Sequence, residues 1–337
     1  MPLKPFFIRL AFTFFCLFIY ASRVFAQDEA YVQTFKDTLN VKFIITNRTL
    51  NTSLQGNEQD KRMKLAPNQL SYLGIGGYIW GIGFQLHQAL PIGWFYDNEL
   101  LDDSRVFDFQ GTLFRNKWLL DGGYQSYQNL YISNPDDFAD GQALMSGEQF
   151  DLRRMLGTVT YALNGRRLAF KSAFNLNHRQ LQSAGSGLLT AGYAYTRLKS
   201  ENPALSSIPI QEALPSAIRG VSFLLRPGYA YHFVYRKFYL HTSAAAGLAL
   251  QYQTYTRAEV RQNNWGLAPS YNLRGSLGYD NGRYFASLLG VFYRTSLEVE
   301  ELHLRENAHN IQLMVGYRFA EPKWLLDRKP AILKKLQ

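Results

Sequence analysis

Cysteine is nearly absent from this chain: its 337 residues hold one, Cys16, inside the most apolar stretch near the start. It is not a lipid-acceptor cysteine, because Phe14 and Phe15 stand where small residues would precede one. Disulfides, the usual support of small secreted domains, are therefore excluded, and something else must hold the fold. Apolar runs of eighteen residues are lacking beyond the N-terminus, which excludes a bundle of membrane helices. Basic clusters are lacking too. Lys and Arg outnumber Asp and Glu by 36 to 26, for a formal charge of +10, yet the cations are scattered singly, so nucleic-acid binding is not expected. The six histidines form neither HExxH nor His-x-His, and no metal or other cofactor is expected.

The N-terminus reads MPLKPFFIRLAFTFFCLFIYASRVFAQ. Lys4 and Arg9 precede the apolar stretch Leu10–Tyr20, and Val24-Phe25-Ala26 places small residues at −3 and −1 before Gln27. This layout predicts a secretory signal over residues 1–26, cleaved after Ala26, against the alternative of an uncleaved anchor helix. Loss of Lys4, Arg9 and Arg23 leaves a mature chain of charge +7.

Beyond the signal, side chains alternate with period two almost everywhere. In FYLHTSAAAGLALQ, one face carries Phe238, Leu240, Leu248 and Leu250, the other Tyr239, His241, Ser243, Gly247 and Gln251. Between Trp265 and Asp280, Trp265, Leu267, Tyr271, Leu273, Leu277 and Tyr279 alternate with Gly266, Ser270, Asn272, Arg274 and Asp280. The second face is made of Gly, Ala, Ser, Asn and single charges, unlike the Lys-, Glu- and Thr-rich face of a soluble sandwich. It suits the interior of a closed barrel whose aromatics and leucines meet lipid. Closure is required there, because lipid offers no partner for a bare sheet edge. The fold class read from this pattern is all-β, a transmembrane antiparallel β-barrel over residues 35–319, with a periplasmic segment 27–34 before it. The alternative is a periplasmic sandwich or soluble barrel.

Candidate strands are 39–46, 69–78, 80–90, 105–115, 117–127, 149–161, 167–179, 186–198, 219–234, 237–252, 264–280, 283–296 and 307–319. Short links such as Arg115-Asn116-Lys117, Asn164-Gly165-Arg166, Tyr235-Arg236-Lys237 and Asp280-Asn281-Gly282 alternate with longer polar stretches, 47–67, 91–104, 128–148, 253–263 and 297–306. Thirteen is an odd count, whereas single-chain bacterial barrels have even ones. Either 200–217 hides a strand or one segment is not in the wall; twelve strands are expected, with fourteen next. The glycine-rich LGIGGYIWGIGFQL, 73–86, is no phosphate loop, because another alternating run follows it rather than a helix. Its glycines mark close approach or tight coiling of strands.

Four pieces, APNQLSYLGIGGYIWGIGFQL, DFQGTLFRNKWLLDGGYQSYQNLYI, NHRQLQSAGSGLL and GYAYHFVYRKFYLH, give the chain a resemblance to the domain of unknown function 4421 family. The most specific part is the turn with Arg179, Gln180, Ser183, Gly185 and Ser186; Leu181 and Gln182 replace basic residues expected there. The resemblance implies an outer-membrane barrel of Bacteroidota, with no established activity and no catalytic residues.

NIQLMVGYRF ends in Phe319, the kind of last strand that barrel-assembly machinery reads. The tail 320–337 is basic with apolar partners, either a frayed end or a docking segment for a periplasmic partner or for anionic headgroups. On the inner phases, Asp108, Asp121, Lys171, Arg179, Arg226, Arg274 and Arg318 compose a candidate lumen network. Buried ions are costly unless paired, so an Asp–Arg network filling the lumen is expected first. A basic ladder selecting small anions is the alternative. A His178–Ser186 pair with Asn177 as orienter would serve a membrane hydrolase; a structural cluster is the plainer reading. The expected roles, in order, are an envelope-associated structural barrel with a filled lumen, a narrow diffusion channel, and a hydrolase. No enzymatic activity is expected.

Overall fold

A computed structural model describes residues 27–35, 38–56, 62–66, 71–79, 82–89, 105–115, 117–134, 150–200, 217–257, 260–299 and 302–324. The signal (1–26), segment 200–217 apart from its first and last residue, and all but the first five residues of the tail lie outside them. The elements are β1 (Val32–Thr34), β2 (Thr38–Gly56), β3 (Met63–Ala66), β4 (Ser71–Ile79), β5 (Ile82–Ala89), β6 (Arg105–Arg115), β7 (Trp118–Ile132) and β8 (Phe150–Ala162). Then come α1 (Phe170–Phe174), β9 (His178–Gln180), β10 (Ala184–Ser200), β11 (Ala217–Tyr235), β12 (Phe238–Arg257), β13 (Val260–Asp280), β14 (Tyr284–Val299) and β15 (Leu302–Ala320).

The strands pair antiparallel in sequence order from β7 to β15, omitting β9. The last strand returns to β2 over its full length, Leu302 opposite Gly56 and Ala320 opposite Thr38. β3 and β4 lie in turn along the other edge of β2, Thr52 facing Leu65 and Asn47 facing Ser71, and together make one interrupted strand. Among the described residues the wall thus comprises twelve passages, already an even count.

Closure takes an uneven form. At the end of the loops, β3 pairs directly with β7, Leu65 opposite Ile132, closing a ring of ten strands. Asn134 and Ser133 reinforce this latch through bonds to the backbone of Arg62 and Lys64. At the opposite end β4, β5 and β6 are inserted between β2 and β7. Among the described residues no ladder joins β5 to β6. The barrel is therefore wider at the end of the short turns.

Side-chain alternation matches the sequence reading along β12 and β13, whereas β7 breaks it at a bulge between Tyr127 and Leu130. Phe238, Leu240, Leu248, Leu250, Trp265, Leu267, Leu273 and Leu277 are exposed, while Tyr239, His241, Ala245, Ala249, Gln251, Ser270 and Ser276 are buried. The outward run from Leu267 to Leu277 rises about 26 Å at roughly 3.4 Å per residue and a tilt near 40°. That is the height of the apolar band of an outer-membrane barrel, about 25 Å. Aromatic pairs flank it: Tyr252 with Trp265 at one end, Phe238 with Tyr279 and Tyr284 with Tyr317 at the other. Strands extend past this band, so much of the polar stretches 47–67, 253–263 and 297–306 is strand rather than loop.

One segment departs from the expectation. Residues 167–179 do not form a wall strand; they hold α1 and lead into β9, which pairs only with β1, Val32 facing Gln180. This accounts for the odd count. The alternation Phe170, Ser172, Phe174, Leu176 imitates a strand, but a short apolar run is equally compatible with a buried turn of helix. Phe170 and Phe174 stack one helical turn apart at 6.1 Å.

Candidate functional site

Among the described residues, inward-facing side chains gather in three layers. At the loop end, Leu54, Met63, Leu65, Tyr127, Leu130, Ile132, Phe150, Leu152, Leu198, Ile218, Tyr255 and Leu304 form one apolar cluster. A ring of about eight strands is filled by its own side chains, and one of about sixteen leaves an aqueous channel. The β3–β7 latch keeps this end narrow enough for side chains alone. The wider, turn end needs more material, and residues 163–183 supply it as a plug. Leu168, Phe170, Ala173, Phe174 and Leu176 of the plug pack against Ile44, Phe114, Tyr239, Phe285 and Met314 of the wall. Between plug and wall remains a cavity of about 10 Å³, the room of one water, lined by Ser172, Gln180, His232, Tyr239 and Asp280.

The plug is bonded on all sides. Ser276 Oγ donates to the carbonyl of Ala173 at 2.8 Å, and Asn40 bonds Asn177. The guanidinium of Arg318 forks onto Asp280 at 2.8 and 2.7 Å and donates through Nε to the carbonyl of Leu176 at 3.1 Å. It also lies between the rings of Phe35 and Phe285, 4.2 and 4.7 Å from their centroids. Leu176 needs this support, because its φ of +61° is the left-handed conformation that a branched apolar residue rarely adopts. Residues 27–34 clamp the plug from outside. Asp28 N donates to Arg166 O, Leu181 N to Tyr31 O, and His178 Nδ1 lies 2.8 Å from Gln27 Oε1.

The family-like turn is the staple of this plug. Gln180 accepts from Ala169 N and donates to the carbonyls of Arg167 and Gln182. Ser183 Oγ accepts from Val234 N, Ser186 Oγ from Asn164 N, and Asn164 Nδ2 donates to Gly185 O. A Cβ at Gly185 would fall 2.9 Å from Tyr231. Arg179 sits in β9 opposite Gln33. Ser186, His178 and Asn177 are each engaged with different partners, so the structure does not assemble them into a pair with an orienter.

Between the apolar clusters lies a charged layer. Asp121 on β7 and Arg274 on β13 meet across the lumen at 2.5 Å, directly over the plug, with Arg274 5.6 Å from the Phe174 ring centroid. Thr112 donates to Asp121 at 2.9 Å. Arg154 on β8 pairs with Glu306 on β15 at 3.3 Å, both almost fully buried. Thr160 and Thr190 bond each other, as do Gln251 and Gln253. Below this layer His232 and His241 face one another, 5.4 Å between centroids, and Phe174 meets His241 edge-on at 5.0 Å.

Of the residues expected to line the lumen, Asp121, Arg226, Arg274 and Arg318 do so from wall strands. Lys171 and Arg179 do not: they belong to α1 and β9 of the plug, for the reason that moved 167–179 out of the wall. The side chain of Asp108 lies outside the described ones; its backbone faces buried Gln125. Arg154, Glu306 and Asp280 were missed as partners. Arg154 shares its phase with Leu152 and Thr158, a signal that marks the inner face but not the strand across it.

An antiparallel wall that closes through β3–β7 and β15–β2, with an apolar band outside and a polar layer inside, defines a transmembrane β-barrel of the outer-membrane type. The chain belongs to the family described as domain of unknown function DUF4421, whose model matches residues 26–319. No curated protein matches the sequence. Among solved structures it is similar to the outer membrane protease OmpT of Escherichia coli, at 9% identity and a TM-score of 0.35, over 85% of this chain and 98% of that one. It is also similar to the toluene transporter TodX of Pseudomonas putida (8%, 0.24, 85% and 91%). A third is Ail, the attachment invasion locus protein of Yersinia pestis (6%, 0.20, 85% and 100%). Likenesses at such scores carry nothing about activity.

Proposed function

We propose that this protein is a closed barrel of the outer membrane with a structural role in the envelope, its lumen filled rather than open. The observation that supports this is the stacking of two apolar clusters above and below a charged layer that the Asp121–Arg274 pair spans. A passive pore needs a continuous wet path, and the plug side chains and this ion pair occupy it. The protein purified in detergent and reconstituted into planar bilayers is expected to show no steady conductance. Stepwise currents from the intact protein would overturn the reading.

A second reading, a narrow channel for small anions, draws on the cation excess of the middle layer, where Arg154, Arg226 and Arg274 face Asp121 and Glu306. It requires the plug to move. Its signature is anion-biased current steps whose selectivity shifts when Arg226 and Arg274 are replaced by Ser.

A further inference from the structure

Three arginines stand side by side on the outer face of the wall. Arg197 of β10 faces Arg153 of β8 on one side and Arg219 of β11 on the other. Directly opposed residues of an antiparallel pair have Cβ atoms about 4.5–5.5 Å apart. Their chain neighbours Leu152, Leu198 and Ile218 are buried in the loop-end cluster, so the alternation turns the arginines outward. Arg153 and Arg219 are exposed and Arg197 is half-buried. The row continues into Ser126 of β7 and Thr254 of β12, neither of them acidic. Asp151, the acid nearest in register, lies further toward the loops and faces Lys199. Among the described residues none of the three arginines forms an ion pair or a side-chain hydrogen bond, and Arg197 Nε is shut off from solvent without a partner.

The register also fixes the depth of this row. The next outward row toward the membrane centre runs Tyr124, Met155, Tyr195, Val221, Tyr252, Trp265. Tyrosine and tryptophan dominate it, as they do where a barrel crosses the membrane–water interface. The arginines stand two residues of tilted strand beyond it, about 5 Å, at the level of headgroup phosphates. This is the end of the long connections, since the chain from 200 to 217 joins β10 to β11 here. Long connections of such barrels face outward, so the row belongs to the outer leaflet.

Like charges directly opposite one another across a ladder are unfavourable unless an anion lies over them. The planar guanidinium fork matches phosphate oxygens in pairs. We propose that Arg153, Arg197 and Arg219 seat the phosphate of an outer-leaflet lipid headgroup against the barrel. Apolar surface runs down the wall below the row: Tyr193 and Phe223 in contact at 5.7 Å, then exposed Leu189 and Leu225. Acyl chains cover that surface while the phosphate meets the arginines, which a free phosphate ion cannot do. The site lies outside the wall, so it goes beyond the closed-lumen reading and does not depend on it.

The full chain in detergent, mixed with lipid A and followed by native mass spectrometry, provides the test. The wild type is expected to retain the lipid. Arg153→Gln/Arg197→Gln/Arg219→Gln weakens retention about a hundredfold. Arg197→Gln alone weakens it by a smaller factor and serves if the triple variant does not fold. Lys237→Gln/Arg283→Gln/Lys323→Gln removes the same charge from exposed positions at the turn end and leaves retention unchanged. Lipid A stripped of its phosphate binds the wild type as weakly as intact lipid A binds the first triple variant. Undiminished retention by the arginine variants, or an equal loss in the turn-end variant, overturns the proposal. So does full displacement of the lipid by inorganic phosphate alone, which marks a free-ion site. None of these outcomes touches the bilayer recordings, which judge the closed-barrel reading separately.

Discussion

Arg318 joins three parts of the molecule through one planar group: Asp280 of the wall, the Leu176 carbonyl of the plug, and Phe35 of the N-terminal segment. Its bidentate pairing is of the strong, geometry-defining kind. Removing one partner of a buried pair costs about 3–5 kcal/mol, chiefly because the other charge is left stranded. Arg318→Met is therefore expected to lower the denaturant midpoint of unfolding, followed by tryptophan fluorescence. Adding Asp280→Asn should recover part of the loss; a double variant no better than the single one would show that the plug carbonyl matters more than the ion pair. The residue's position was legible, since Arg318 falls on the inner phase of a strand ending at Phe319. Its partners were not, because period two says which face a side chain is on and nothing of what lies opposite.

Among the elements, the plug is the one whose seating responds to pH. His178 lies in β9, off the membrane-spanning strands, and bonds Gln27 of the clamp. Burial, then the positive charges of Lys171 and Arg318, hold its imidazole well below its ordinary pKa, near 6.5. The folded form is thus neutral, while the unclamped form takes up a proton below about 6.5. The stability this contributes is complete above that pH and is lost as pH falls toward the depressed value. The protection of residues 163–183 against hydrogen exchange, after correction for the intrinsic pH dependence of amide exchange, is expected to fall between pH 7 and pH 5 in the wild type and to stay level in His178→Gln. Equal pH dependence in both would refute the assignment. The same element was the least legible: Phe170, Ser172, Phe174 and Leu176 satisfy a strand pattern and a buried helical turn alike, and only contact with the wall decides between them.

For the whole molecule, the lipid boundary carries the largest consequence. Leu273 lies near the middle of the apolar band and is exposed, while Ser270 on the same strand is fully buried. Leu273→Arg is expected to destabilise the barrel by about 2–4 kcal/mol in vesicles, the cost of arginine at the bilayer midplane. In a water-soluble sandwich an exposed arginine would be nearly silent, so an unchanged unfolding midpoint would contradict the membrane placement.

The sequence by itself determined that nearly every segment is a two-faced strand, which face meets lipid, and that the sheet has to close. These follow from local rules: side chains alternate along an extended backbone, and lipid tolerates no bare edge. Only the tertiary structure decided that β3 latches onto β7, that residues 163–183 leave the wall to stopper its wide end, and that Asp121 meets Arg274. Each of these joins residues far apart in the chain, and local periodicity is the same whichever partner lies across the lumen.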